Sequence, residues 1–160
     1  MELNFHTNLL KADTDEDGHS DGDEIVNGYD PLQNKKVKLS KRIEINTQKQ
    51  ELSYFLSDVR MNTFVVSTGK SSMPTPKGHF KIDEKHERAW SANYGLWMPY
   101  WMSLNKGRFG IHELPEWPSG YKEGADHLGQ AVSHGCIRLG VGDAEFLYKW
   151  AEVGIKVFIY

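Results

Sequence analysis

Residues 13–24 read Asp-Thr-Asp-Glu-Asp-Gly-His-Ser-Asp-Gly-Asp-Glu, a run that no apolar core can absorb. Acidic side chains recur at positions 1, 3, 5, 9 and 12 of the run (Asp13, Asp15, Asp17, Asp21 and Glu24). Gly18 falls at position 6, where the chain must turn sharply, and the backbone carbonyl of His19 falls at position 7. With this spacing a loop wraps a hard cation, calcium above all, in oxygen ligands. A merely solvated acidic segment needs neither the glycine nor the alternation. The run also makes the chain electrically lopsided. Residues 1–34 hold nine acids and one base, a net of −8; residues 35–160 hold thirteen acids and eighteen bases, a net of +5; together these give the −3 of the whole. Such a step marks a boundary between units. The predicted division is an acidic calcium-binding repeat and linker over 1–36 and a second unit over 37–160. A bound cation would relieve the self-repulsion of the first, so calcium is expected to be structural.

The 160 residues suit one ordinary domain with a small appendage, and 39% apolar content is enough for a real core. No stretch approaches the ~18–20 apolar residues of a membrane span. The basic residues after Lys35 are too scattered for a nucleic-acid footprint. A single cysteine excludes an internal disulfide. Calcium at extracellular concentrations fills even weak sites. The expected location is therefore extracytoplasmic, in the envelope or secreted, with a signal or anchor segment missing from this chain, since Met-Glu-Leu-Asn-Phe-His is no secretory leader.

After Lys35 the apolar residues recur at strand spacing. Residues 42–47 alternate around Ile43 and Ile45. Residues 51–57 alternate again, with Leu52, Tyr54 and Leu56 on shifting faces, and residues 62–68 hold Phe64, Val65 and Val66. Thr75-Pro76-Lys77-Gly78 signals a turn into a strand over 79–83, and residues 156–160 read as a last strand. Asp143 reads as the N-cap of a helix with Phe146, Leu147, Trp150 and Ala151 on its apolar face, ended by Gly154. Residues 90–104 are dense in aromatics, whose ordinary role is core packing. The predicted class is mostly β, with one helix late in the chain.

The only cysteine stands in Ser133-His134-Gly135-Cys136-Ile137-Arg138. A thiol becomes a nucleophile when a base close in space takes its proton. His112, in Phe-Gly-Ile-His-Glu, lies 24 positions upstream and is the candidate base. Two plainer readings compete. Cys136 would serve as a small buried hydrophobe, or His112, His134 and Cys136 would hold zinc, although the usual ligand-pair spacings are absent.

Taken in order, these motifs resemble the catalytic domain of YkuD-type L,D-transpeptidases over residues 37–160. Phe-Gly-Ile-His112 followed by the Ser-His-Gly-Cys-Ile-Arg run carries the likeness. Val66-Ser67-Thr68-Gly69-Lys70, Thr75-Pro76-Lys77-Gly78-His79-Phe80 and Gly154-Ile155-Lys156-Val157-Phe158-Ile159 support it. The resemblance implies a β-sandwich-like fold with a helix after the cysteine motif, and acyl transfer on peptidoglycan stem peptides without a catalytic cofactor. It implies Cys136 as nucleophile, His112 as base and the backbone amides of Gly135 and Cys136 as oxyanion donors. His134 and Ser133 would support the turn, and Arg138 would orient it or meet a substrate carboxylate. The backbone carbonyl of Glu113 would orient the imidazole, and Tyr94 and Trp117 would wall the cleft. Two departures stand out: the 20 residues between His112 and Ser133 form an enlarged loop, and Glu113 replaces the family's usual Gly or Ser. An L,D-carboxypeptidase using water, or a non-catalytic wall-binding module, remains open. So does the acceptor, whether a stem peptide, a lipoprotein lysine or water. Separately, Asp-Gly-His-Ser-Asp-Gly-Asp-Glu-Ile-Val-Asn-Gly-Tyr-Asp-Pro-Leu resembles the bacterial thrombospondin type 3 calcium repeat.

Overall fold

Alternation of inward apolar and outward polar residues builds most of this molecule. The structure is a computed structural model that describes residues 2–160, with side chains from Asn4 onward. Strands β1 (Lys41–Asn46), β2 (Glu51–Leu56) and β3 (Val59–Ser67) form an antiparallel meander. Ile43 and Ile45 on β1 and Leu52, Tyr54 and Leu56 on β2 face inward together; the last three share one face rather than shifting. A long hairpin follows, β4 (Gly78–Ser91) with β5 (Leu96–Leu104), then β6 (Phe109–Glu113), β7 (Ile137–Leu139) and β8 (Lys156–Ile159).

These strands close into a barrel in the order β1-β2-β3-β7-β6-β5-β4-β8. The mostly β class expected of the chain is what the structure shows, and its sandwich-like arrangement closes into a ring. The last strand makes the difference: β8 lies parallel to β1 (Ile43↔Val157) and antiparallel to β4 (Phe80↔Val157), so both would-be edges are hydrogen-bonded. The strand expected over 79–83 runs on to Ser91, because Trp90 pairs with Trp97 across the hairpin. Near its tip Trp90 and Tyr94 are about half exposed (47% and 45%), unlike buried Trp101, so the aromatic segment is not uniformly core.

Helix α3 (Asp143–Trp150) covers the barrel with Ala144 and Leu147, backed by Ala151. Gly142, not Asp143, is its N-cap, and the helix ends at Trp150 rather than Gly154. The Lys85 ammonium donates to the carbonyls of Tyr148 and Ala151, capping the helix's negative end. At the N-terminus, α1 (Glu2–Phe5) and α2 (Asp21–Asn27) flank the acidic loop. The Ser20 hydroxyl caps α2 by accepting from the Asp23 amide at 3.2 Å. Ile25, 1% exposed, packs with Phe5 against Leu56 of β2. The acidic segment is thus docked on the barrel rather than strung out as a spacer.

Candidate active site

Parallel pairing of β6 with β7 sets Ile111 opposite Ile137 and His112 opposite Arg138. Residues 24 apart in sequence thereby meet at one cleft of about 430 Å³, lined by Cys136, His112, His134, Arg138, Tyr94 and Trp117 among others. The cysteine, both histidines, the arginine and both predicted wall aromatics are all brought there.

His112 is 2% exposed and leans on Trp101, ring centroids 5.8 Å apart. Its Nδ1–H donates to the Glu113 carbonyl oxygen at 2.5 Å, which leaves Nε2 as the acceptor. Burial, and then the positive charge of Arg138, push its pKa from 6.5 down to about 3, against the pull of the Glu113 carbonyl. The ring is therefore neutral at physiological pH. In the unfolded chain the same ring binds a proton below about pH 6.5, whereas the folded one does not until about pH 3. Unfolding then takes up a proton in that window, and stability falls as pH falls through it, by up to ~1.4 kcal/mol per unit. Denaturant midpoints measured from pH 6.5 to 4 should show a shallower decline in His112→Gln than in the parent chain. An unaltered slope would contradict the assignment.

The turn before β7 is held from several sides. Gly135 has φ of +108°, a conformation that strains any residue with a Cβ. The Ser133 hydroxyl donates to the Cys136 carbonyl at 2.6 Å and accepts the Gly135 amide at 3.1 Å. The Gly135 N–H, expected to serve as an oxyanion donor, is thus paired with Ser133 in this structure, and Gly135 contributes conformation. The Gly135 carbonyl accepts from the Thr75 hydroxyl at 2.9 Å, and Thr75 Oγ1 accepts the Gly69 amide at 2.8 Å. In a trans peptide the C=O and N–H point opposite ways. By gripping the Gly135 oxygen, Thr75 sets the direction of the Cys136 N–H. Any Cβ at Gly69 would lie 2.3 Å from the Met73 carbonyl, so this loop closes only over glycine. The Thr-Pro-Lys-Gly segment announced a turn; nothing in it announced contact with residue 135.

The Cys136 thiol is half-buried. Burial pushes its pKa up, while the Gly110 backbone N–H and the Arg138 charge act to lower it. With the histidine shifted down, the resting pair is thiol and imidazole, not thiolate and imidazolium. Sequence reasoning missed Gly110. A Cβ there would lie 2.6 Å from the Met102 carbonyl and 2.7 Å from the Trp101 ring, so only glycine lets β6 approach β5 and bring its amide to the sulfur.

Glu113, 1% exposed, turns its carboxylate away from the imidazole. It forms an ion pair with Lys122 and accepts the Gly142 amide at 3.3 Å. One side chain thus ties the start of α3 to the enlarged loop. That loop is an ordered ribbon: Trp97 bridges to Glu116, and Glu116 to Lys122. The Trp117 Nε1–H donates to Glu123 at 2.9 Å at the cleft wall. His134 is exposed and stacks on Tyr94, centroids 4.7 Å apart.

In the acidic loop, carboxylate oxygens of Asp13, Asp15 and Asp17 lie within 4.8 Å of one another. Among the described residues Asp15 Oδ2 and Glu24 Oε2 are buried without a hydrogen-bond partner, and Glu24 is only 5% exposed. Burial, then repulsion by Asp15 and Asp17, raises the Glu24 pKa. These oxygens suit a hard divalent cation. Asp21 stands apart from the cluster, because its two oxygens accept the Thr14 amide and hydroxyl, each at 2.7 Å. The His19 side chain is exposed, and its amide donates to Asp17 at 2.8 Å.

Residues 40–159 match the family YkuD, L,D-transpeptidase catalytic domain. "Putative L,D-transpeptidase YciB" of Bacillus subtilis (strain 168) is 32% identical over 124 residues, covering 73% of this chain and 64% of its own length. "Putative L,D-transpeptidase YkuD" of the same strain is 31% identical over 117 residues, with 73% and 64% covered. The chain therefore spans just under two thirds of these relatives. An L,D-transpeptidase (Yku) structure from Stackebrandtia nassauensis superposes with a TM-score of 0.65 at 27% identity, covering 79% of this chain and 58% of that one. An L,D-transpeptidase from Mycobacterium smegmatis gives 0.66 at 20% identity, covering 77% and 59%, a likeness of fold.

Proposed function

Because the chain belongs to the YkuD family of L,D-transpeptidase catalytic domains, we propose that it is a cysteine-dependent acyltransferase acting on peptidoglycan stem peptides outside the cytoplasm. The observation that carries this reading is the meeting of Cys136 and His112 at one cleft, with the imidazole fixed through Nδ1 so that Nε2 accepts a proton. His112 takes the thiol proton, and the sulfur attacks the carbonyl between the third residue of the stem and its terminal D-amino acid. The Cys136 N–H, directed by Thr75 through the Gly135 carbonyl, receives the developing oxyanion. A preorganised donor of this kind lowers the barrier by roughly 3 kcal/mol. The imidazolium returns its proton to the leaving amine, and the D-amino acid departs. An acceptor amine then attacks the thioester and restores the thiol. The groups involved belong to the protein, so no catalytic cofactor enters.

Water in place of the amine would make the same site an L,D-carboxypeptidase. The two outcomes separate by product. With disaccharide-tetrapeptide and calcium, mass spectrometry should find a thioester on Cys136, free D-alanine and a cross-linked dimer. Tripeptide alone would assign a carboxypeptidase, and an unmodified Cys136 with intact substrate would overturn acyl transfer.

One structural calcium ion belongs to the same reading of the protein. Asp13, Asp15, Asp17, Glu24 and the His19 carbonyl would hold it, with Asp21 locking the loop through Thr14 rather than binding directly. The buried, partnerless oxygens of Asp15 and Glu24 support this. The ion would neutralise the loop and hold α2 against β2.

A further inference from the structure

We propose that the Glu113–Lys122 ion pair selects the acyl acceptor: it latches the enlarged loop as a wall that keeps water from the thioester, so that an amine resolves it. The inference rests on the acyl-transfer reading above and states which of its two outcomes this chain is built for. Glu113 and Lys122 are thereby positioning residues, whose side chains act through the wall and do not touch the reacting atoms.

The two ends of Glu113 serve different partners. Its main chain belongs to the base. The carbonyl oxygen takes the His112 Nδ1–H, and the N–H of the same peptide unit, on Leu114, donates to the Leu139 carbonyl at 3.0 Å. β7 thus holds that peptide without help from the side chain. The carboxylate belongs to the loop. One oxygen pairs with the Lys122 ammonium, and the other accepts the Gly142 amide at 3.3 Å. The Glu113 side chain is buried, whereas a third of Lys122 reaches solvent. A carboxylate this deep is tolerated only while its countercharge stays in place. The pair therefore draws the ribbon inward more firmly than an exposed pair could.

Lys122 stands where such a pull shapes the cleft. The ribbon doubles back between Trp117 and Tyr121, whose amide and carbonyl are hydrogen-bonded, and its next residue after Lys122 is Glu123, which lines the cleft and accepts from Trp117. At its outer edge the ribbon is tied differently: Glu116 exchanges main-chain hydrogen bonds with Trp97 and pairs with half-exposed Arg88. Pro115 and Trp117 of the ribbon share the cleft with Leu96, Met98 and Trp101, so much of the surface around the sulfur is apolar. A lone water finds few partners there, whereas an acceptor peptide gains by burying its own apolar parts. Either acceptor adds to the acyl carbon, the C–S bond breaks, and the acceptor's proton passes through His112 to the sulfur. Water is in vast excess over any amine, so the thioester lasts until an amine arrives only where solvent is kept out. A ribbon free to swing would admit it; one held at its inner edge does not.

The test incubates the parent chain and its variants with disaccharide-tetrapeptide, which serves as both donor and acceptor, and measures the ratio of cross-linked dimer to tripeptide by mass spectrometry. The parent should give mostly dimer. Lys122→Met should still form the thioester on Cys136, because β7 holds the imidazole's peptide, but its dimer-to-tripeptide ratio should fall by roughly ten-fold. Lys122→Arg, which keeps the charge, should hold most of the parent ratio. Thermal midpoints identify the pair as what was broken. Adding Glu113→Gln to Lys122→Met should raise the midpoint above that of Lys122→Met alone, because it removes a carboxylate left without its countercharge. The double variant should give the same low ratio. A Lys122→Met chain that melts lower yet keeps the parent's product ratio would make the pair structural and overturn the proposal. So would a parent that forms the thioester and yields only tripeptide; acyl transfer stands in both cases. A parent that forms no thioester removes the acyl-transfer reading, and the acceptor latch falls with it.

Discussion

Cys136→Ala should abolish release of the terminal D-amino acid, with turnover lowered by about 10⁴-fold or more, the scale on which nucleophile removal acts in covalent catalysis. His112→Ala should lose about 10²–10⁴-fold, the usual contribution of a positioned base. The two losses differ in a way that identifies the roles. The thiol of Cys136 is held protonated by its burial. Without His112, only solvent can deprotonate it, so the residual activity of His112→Ala should climb with pH. Cys136→Ala should show no such recovery. His86, half exposed and bonded to Glu84 at 2.5 Å on β4, supplies the control; His86→Ala should turn over like the parent. Full activity in Cys136→Ala, or a flat pH profile in His112→Ala, would remove this pair from the mechanism.

Calcium removal is expected to have the next largest effect, and on stability rather than chemistry. A ligand at a hundred times its Kd stabilises the folded state by about 2.7 kcal/mol. For a chain of this size each kcal/mol moves the melting midpoint by roughly 2–4 °C. Chelation should therefore lower the midpoint by about 5–10 °C. All five tryptophans lie between residues 90 and 150, outside the acidic loop, and only Trp150 among them lines a cavity with Ile25 and Val26 of α2, so indole fluorescence mainly reports the barrel. The barrel signal should shift nonetheless, because Ile25 of α2 shares a buried cluster with Leu56 of β2. Glu24→Gln should abolish most of the calcium response. A tryptophan transition indifferent to chelator would refute a structural ion coupled to the barrel.

Much of the site was legible in the chain because its chemistry is local. A Ser-His-Gly-Cys-Ile-Arg run carries the thiol, the tight turn at Gly135 and the arginine in six residues, and five acids stand at fixed spacing in the N-terminal loop. The strand alternation was legible for the same reason, since burial of every second side chain is a property of each strand alone. The boundaries moved where pairing overrode local pattern: β4 extends to Ser91 because Trp97 and its neighbours lie opposite.

Other features were settled only when distant segments met. Barrel closure depends on β8 reaching both β1 and β4, and no residue of β8 encodes that. What the Glu113 side chain touches could not be read from the chain and became plain once Lys122 and the Gly142 amide were placed beside it. The contacts of Gly110 and Thr75 likewise exist only in three dimensions. By itself, then, the amino-acid sequence determined which nucleophilic, basic and acidic groups this protein carries and the periodicity of its strands, because those follow from residue type and short spacing. The tertiary structure decided which backbone amides are already paired and which way each carboxylate turns, because hydrogen-bond saturation and burial are properties of neighbours in space.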